Sequence, residues 1–156
     1  MTNGSFEADV IPDNTFRFGY VLSGWRLGYE GIDIIRKSFY GFSAQDGSQF
    51  VELDTYANTP IFQTISSFTI GQSYNFSFYY SPRADSSSEK NLPASTLGLD
   101  VYLGPSKIFS IAQDGGPTMN WQKIVINSLQ PLPPKPSAFK VQEPQMLSVL
   151  FSTMLL

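Results

Sequence analysis

The segment Ser73–Tyr80 reads SYNFSFYY, so Tyr74, Phe76, Phe78 and Tyr80 alternate with Asn75, Ser77 and Tyr79. A period of two belongs to an extended strand with one buried face; a helix would scatter the four rings around its axis. LGLDVYLG repeats the pattern, with Leu99, Val101 and Leu103 on one face. WQKIVIN sets Trp121, Lys123 and Val125 against Gln122, Ile124 and Ile126. Segments of this kind, rich in aromatic and β-branched residues, alternate with Gly, Asn, Asp, Ser and Pro breaks. They predict strands near residues 4–11, 16–22, 32–37, 49–54, 61–69, 73–81, 97–103, 106–112 and 121–127. No stretch of twelve residues carries a helical period. Short strands at this spacing predict an all-β fold, a two-sheet antiparallel β-sandwich of the jelly-roll kind.

The totals allow such a core and exclude much chemistry. The chain has 156 residues, 42% of them apolar and 15% charged, enough to fold as one unit. Net charge is −3 without a basic run, so neither nucleic acid nor an anionic membrane surface is an expected partner. Cys and His are both absent. That removes thiol nucleophiles, His-based triads, His general bases and zinc sites. Carboxylate chemistry, oxygen-ligated cations and binding remain. The polar stretch SPRADSSSEKNLP, residues 81–93, has no period and predicts an exposed loop.

NGSFE (Asn3–Glu7) and the pair Gly24-Trp25 are similar to the opening of galactose-binding-like jelly rolls. These include carbohydrate-binding module families four and twenty-two, and a plant cell-wall and bacterial family known as domain of unknown function six hundred and forty-two. The order of later pieces resembles that last family: GIDIIR (Gly31–Arg36), AQDGSQFVELD (Ala44–Asp54), IFQTI (Ile61–Ile65), YNFSFYYSPR (Tyr74–Arg83), LDVYLG (Leu99–Gly104) and a strand at Trp121. The resemblance implies a non-catalytic, exported or cell-surface module that binds a polysaccharide or glycan. Met1-Thr2 runs straight into patterned sequence, so an extracellular location rests on the resemblance alone. The rival expectation is a structural or adhesive surface domain that binds protein or has no small ligand.

Residues 130–156 differ from everything before them. Four prolines fall between Pro131 and Pro136, and an apolar run, Met146–Leu156, follows. That run is about half the ~20 residues a membrane span needs. The resembled family closes instead with a strand ending in Gly-x-x-Ile/Leu-Asp-Asn-Val. One permitted back-translation, read two bases later from Asn127, gives FTTASATKTISFQSPGTPNALGALLDNVA, which restores that ending. The sequence therefore divides into a sandwich domain, 1–129, and an atypical tail, 130–156, read either as a frame-shifted version of the family's last strands or as a Pro-rich linker with an apolar end. A slipped tail was never selected to pack here. It is expected to leave the closing strand absent or badly replaced and the sheet edge open to self-association.

Candidate site residues follow from residue type and position. The resemblance implies that Glu7 and an Asp of the closing strand hold a structural Ca²⁺, for which hard carboxylate oxygens suit. Here that Asp occurs only in the shifted frame; Asp9, Asp46 and Asp54 are weaker candidates, and Glu7 is equally readable as an exposed strand residue. Trp25 and Tyr29 sit in the Gly-broken stretch SGWRLGYEG, where exposure would let a pyranose face stack on them. Tyr80 and Arg83 stand where a strand enters the long loop. Arg83 offers planar contacts to hydroxyls or a uronate, or an ion pair with Glu30, Asp33 or Asp85. Phe6, Phe50, Phe62, Phe76, Phe78 and Trp121 are assigned to the core. Asp33, Glu52 and Asp54 lack the spacing of hydrolytic carboxylates, and alternation sets Glu52 and Asp54 on a solvent face.

Overall fold

The computed structural model describes residues 1–19, 21–28, 31–37, 39, 42–53, 55, 58–66, 68–69, 71–83, 97–129 and 145–152, with backbone only at 128–129 and 145–152. Ten strands and no α-helix occur among them: β1 Phe16–Gly19, β2 Arg26–Leu27, β3 Ile32–Arg36, β4 Gln49–Glu52, β5 Ile61–Ile65, β6 Tyr74–Tyr80, β7 Gly98–Leu103, β8 Ser106–Ala112, β9 Gln122–Leu129 and β10 Gln145–Ser152. The expected all-β class is correct. Where two sheets were expected, hydrogen bonding defines three, ordered β1-β3-β4, β2-β5-β10-β7-β8 and β6-β9. All the described strand pairs are antiparallel.

Alternation decides what each strand buries. On β6, Tyr74, Phe76, Phe78 and Tyr80 are the less exposed set, while Asn75, Ser77 and Tyr79 face out. On β7, Leu99, Val101 and Leu103 are buried. They join Leu22, Ile32, Ile34, Leu53, Ile61 and Tyr80 in one core cluster, with Phe6, Phe76 and Phe78 packed against it. Burying a side chain of this size is worth about 1.5–3 kcal/mol. β3 has β1 and β4 on its two edges and is buried on both faces. Ile32 and Ile34 face the core cluster, and Asp33 and Ile35 lie on the other face by the strand's period of two.

The first eleven residues depart from expectation. The segment read as a strand near 4–11 forms turns and bends. Asn3 and Phe6 both have positive φ, 47° and 62°, which breaks any extended run. Two buried glutamines hold this segment instead. Gln49 accepts from Ile11 N at 3.1 Å and donates to Phe6 O and Asp9 O at 2.9 and 3.2 Å. Gln63 accepts from Thr2 N at 2.7 Å and donates to Thr2 O at 2.8 Å.

The tail also departs from expectation. β10 is not missing or peripheral: it pairs with β5 from Gln145↔Ile65 to Val149↔Ile61 and with β7 from Leu147↔Leu103 to Ser152↔Gly98. A ladder on each side satisfies the backbone whatever the side chains are. The run Val149–Phe151 has the β-branched and aromatic character that a sheet accepts. The prolines at 131–136 precede the strand and so remove no donor from it; they lie outside the described residues.

Candidate functional site

β4 ends its sheet, with β3 on one side and, among the described residues, no strand hydrogen-bonded on the other. Along that edge, between β4 and the β6-β9 ribbon, lies a cavity of about 470 Å³, within the ~300–1,000 Å³ range of small-molecule pockets. Trp25, Phe50, Phe78 and Trp121 form apolar walls; Glu52 and Arg83 supply the polar part. Both tryptophans of the chain line it.

Each wall has a local cause. Trp25 comes from a two-residue turn: Leu22 and Trp25 form a bridge, Trp25 N donates to Leu22 O at 2.9 Å, and Gly24 takes φ 82°. This turn folds the ring inward, where Nε1 donates to Asn3 O at 2.9 Å and Phe6 lies 5.7 Å away, ring centre to ring centre. Trp25 is therefore 9% exposed, not the open stacking platform expected from its Gly-broken surroundings. Trp121 donates Nε1–H to Ser43 O at 2.9 Å and meets Phe50 edge-on at 5.5 Å, a favourable aromatic geometry.

Tyr80 is likewise buried, 3% exposed, against the expectation of exposure at the loop entrance. It belongs to the inward set of β6, and its hydroxyl donates to Leu97 O at 3.0 Å. Burial pushes its pKa up to about 12, so it stays a neutral donor at physiological pH. Tyr29, Glu30, Asp54 and Asp85 lie outside the described residues. Three of the four sequence-predicted ligand residues, Trp25, Tyr80 and Arg83, do share one concavity.

Arg83 is committed. Its Nη1 donates to Glu52 Oε1 at 2.6 Å, with the two side chains 14% and 5% exposed. Glu52 was expected on a solvent face. Alternation does set it opposite Leu53, but Arg83 and the chain around Trp121 cover that second face, together with Phe50. Asp33 stands directly across from Glu52 in the β3–β4 register and is 2% exposed. Its Oδ1 has no hydrogen-bond partner. Burial raises its pKa to about 6, and the Arg83 charge offsets this only in part. The sequence carried a signal for this: an Asp inside the apolar run GIDII is an Asp carried into the interior.

Glu7 has a structural occupation. Its Oε1 accepts from Ser48 N at 2.7 Å and Gln49 N at 2.8 Å. Its Oε2 lies 3.7 Å from Arg36 Nη1. Gly47, at φ 69°, makes room, since a Cβ there would collide with the Glu7 carboxylate. Asp9 is held by Ser23, whose N and Oγ donate to it at 2.7 Å each. A guanidinium thus adjoins the carboxylate that the resemblance gave to Ca²⁺, and among the described residues no group of three or more His, Cys, Asp or Glu side chains is placed to hold a metal ion. Glu7 is a tie between the N-terminal turns and the start of β4.

Comparison with family models, with curated proteins and with solved structures finds no match.

Proposed function

We propose that this chain is a non-catalytic carbohydrate-binding module of an exported or cell-surface protein, built as a β-sandwich similar to galactose-binding-like jelly rolls. One observation carries the reading: an aromatic-walled cavity of about 470 Å³ lined also by the ion pair Arg83–Glu52. A pyranose has apolar CH faces and a rim of hydroxyls. Rings such as Trp121 and Phe50 suit the faces, and a fixed guanidinium–carboxylate pair suits the rim. Asp33 and Glu52 stand close, but Asp33 does not border the cavity, and Glu52 is bonded to Arg83. The sugar is held inside the cavity and not on an exposed aromatic strip.

The test uses the two tryptophans as reporters. Titration with mono- and oligosaccharides, followed by intrinsic fluorescence, is expected to change the emission saturably for at least one sugar, and Trp121→Phe should abolish most of that change. A glycan array that retains nothing, with unchanged fluorescence, overturns the reading. The structural-domain reading then takes its place. It is favoured by the burial of Trp25 and Tyr80, both hydrogen-bonded to backbone carbonyls within the fold.

A further inference from the structure

Stacking a sugar needs a ring with a free face. Trp25 and Tyr80, the two described rings expected to carry one, line the cavity but are each at most 9% exposed. Phe76 and Phe78 are packed against the core cluster. Tyr79 differs. It belongs to the outward set of β6 and is 41% exposed. Among the described aromatic residues of the cavity wall, no other is exposed.

The strand register supplies its neighbours. Tyr79 pairs with Lys123 across β6 and β9, so the two side chains leave the ribbon on the same face. Ser77 shares that face by the strand's period of two, and Trp121 comes two residues before Lys123. All four line the cavity. Arg83 is bonded to Glu52 and the Trp121 Nε1–H to Ser43 O. Lys123, by contrast, is exposed, and neither its ammonium nor the Tyr79 hydroxyl has a hydrogen-bond or ion-pair partner among the described residues. One wall of the cavity is therefore open to solvent and sets an uncovered ring beside an unengaged donor.

Resting on the carbohydrate reading, we infer that Tyr79 is the principal stacking ring for the sugar and that Lys123 donates to its hydroxyls. Covering the exposed ring with a pyranose CH face removes apolar surface from water, and the ammonium offers three donors to the rim. This is one ring in the cavity wall, not a row of rings on the surface. The role expected of Tyr80 passes to its neighbour in the chain, because alternation turns Tyr80 inward and Tyr79 outward.

The experiment titrates the full chain with β-linked tetrasaccharides of glucose, xylose, mannose and galactose, followed by calorimetry and tryptophan fluorescence. For any sugar that the wild type binds, Tyr79→Thr, which keeps strand propensity and deletes the ring, is expected to weaken binding about ten-fold or more. Tyr79→Phe keeps the ring and should stay within about three-fold of the wild type. Lys123→Met is expected to weaken binding about five-fold, and Lys123→Gln, which retains N–H donors, to recover most of that loss. Val125→Ala is the control: Val125 is exposed on the same ribbon but does not line the cavity, and its binding should match the wild type. Circular dichroism melts of every variant separate a folding defect from lost binding. Undiminished binding by a folded Tyr79→Thr, or a loss in Tyr79→Phe as large as in Tyr79→Thr, would overturn the stacking role while leaving a sugar site in place. Lys123→Met binding as tightly as the wild type would overturn the donor role in the same way. No response of the wild type to these sugars or to the glycan array would overturn the inference together with the carbohydrate reading.

Discussion

Asp33 and Glu52 face each other across β3 and β4, and Arg83 donates to Glu52 Oε1 at 2.6 Å. These buried side chains set the first two predictions.

Asp33→Asn is expected to stabilise the chain at neutral pH and not at pH 4. The pKa of Asp33 is raised by burial to about 6, above its ordinary 3.8. The folded state therefore holds this proton more tightly than the unfolded state does. The favourable contribution is full below about pH 4, falls as pH rises to about 6, and is gone above that. Asp13 and Asp100 act in the opposite sense: partners hold their pKa values down, so their stabilisation is present above about pH 4 and lost below it. The difference between variant and wild type isolates Asp33. Thermal melts should show a Tm gain of roughly 3–6 °C at pH 7.5, shrinking to nothing or reversing at pH 4.

Arg83→Met is expected to cost about 3 kcal/mol, because it removes the buried guanidinium bonded to Glu52. Arg83→Met with Glu52→Gln should recover part of the loss. Urea denaturation of the two variants and the wild type measures both steps. A single variant as stable as the wild type would mean that this ion pair adds nothing net to stability.

Gln49→Ala should loosen the N-terminal turns. Gln49 holds Ile11 N, Phe6 O and Asp9 O at once, and it also accepts from Arg36 at 3.2 Å. Loss of these bonds is expected to cost about 2 kcal/mol. Hydrogen exchange at the Ile11 amide should accelerate well beyond that of amides in β7.

Calcium should do little to this chain. With Glu7 bonded to Ser48 N and Gln49 N and adjoined by Arg36, millimolar Ca²⁺ is expected to move Tm by less than ~1 °C, since ligand stabilisation needs a site in the folded state. A shift of several degrees, reversed by chelator, would show a cation shell that Glu7 joins.

Removal of residues 145–156 should be far more damaging than the composition of that segment suggests. β10 joins β5 to β7; without it the five-stranded sheet falls into a β2-β5 pair and a β7-β8 pair, each with a new open edge. Gel filtration of the shortened chain is expected to show association or aggregation, and circular dichroism a weakened β signal. A monomeric, equally stable product would mean that β10 adds nothing to the sheet.

The sequence by itself determined eight of the ten described strands. Period-two runs placed β1 and β3 to β9 to within a few residues, and alternation alone set the inward ring row of β6 and the Leu99–Val101–Leu103 row of β7. These are local properties: which face a side chain takes depends on its own strand. Tertiary structure decided which faces meet water. Glu52 lies on the face that alternation gave it, yet it is buried, because Arg83, thirty-one residues later, and Trp121 cover that face. Trp25 looked exposed among glycines, but the turn at Gly24 and the segment around Asn3 and Phe6 enclose it. Two-residue β2 carries too short a pattern to read. β10 was misjudged because its pairing depends less on its own side chains than on the two unfilled ladders of β5 and β7. Burial, ion pairing and strand insertion are relations between segments distant in the chain, and one-dimensional periodicity records only the half of each that a segment contributes.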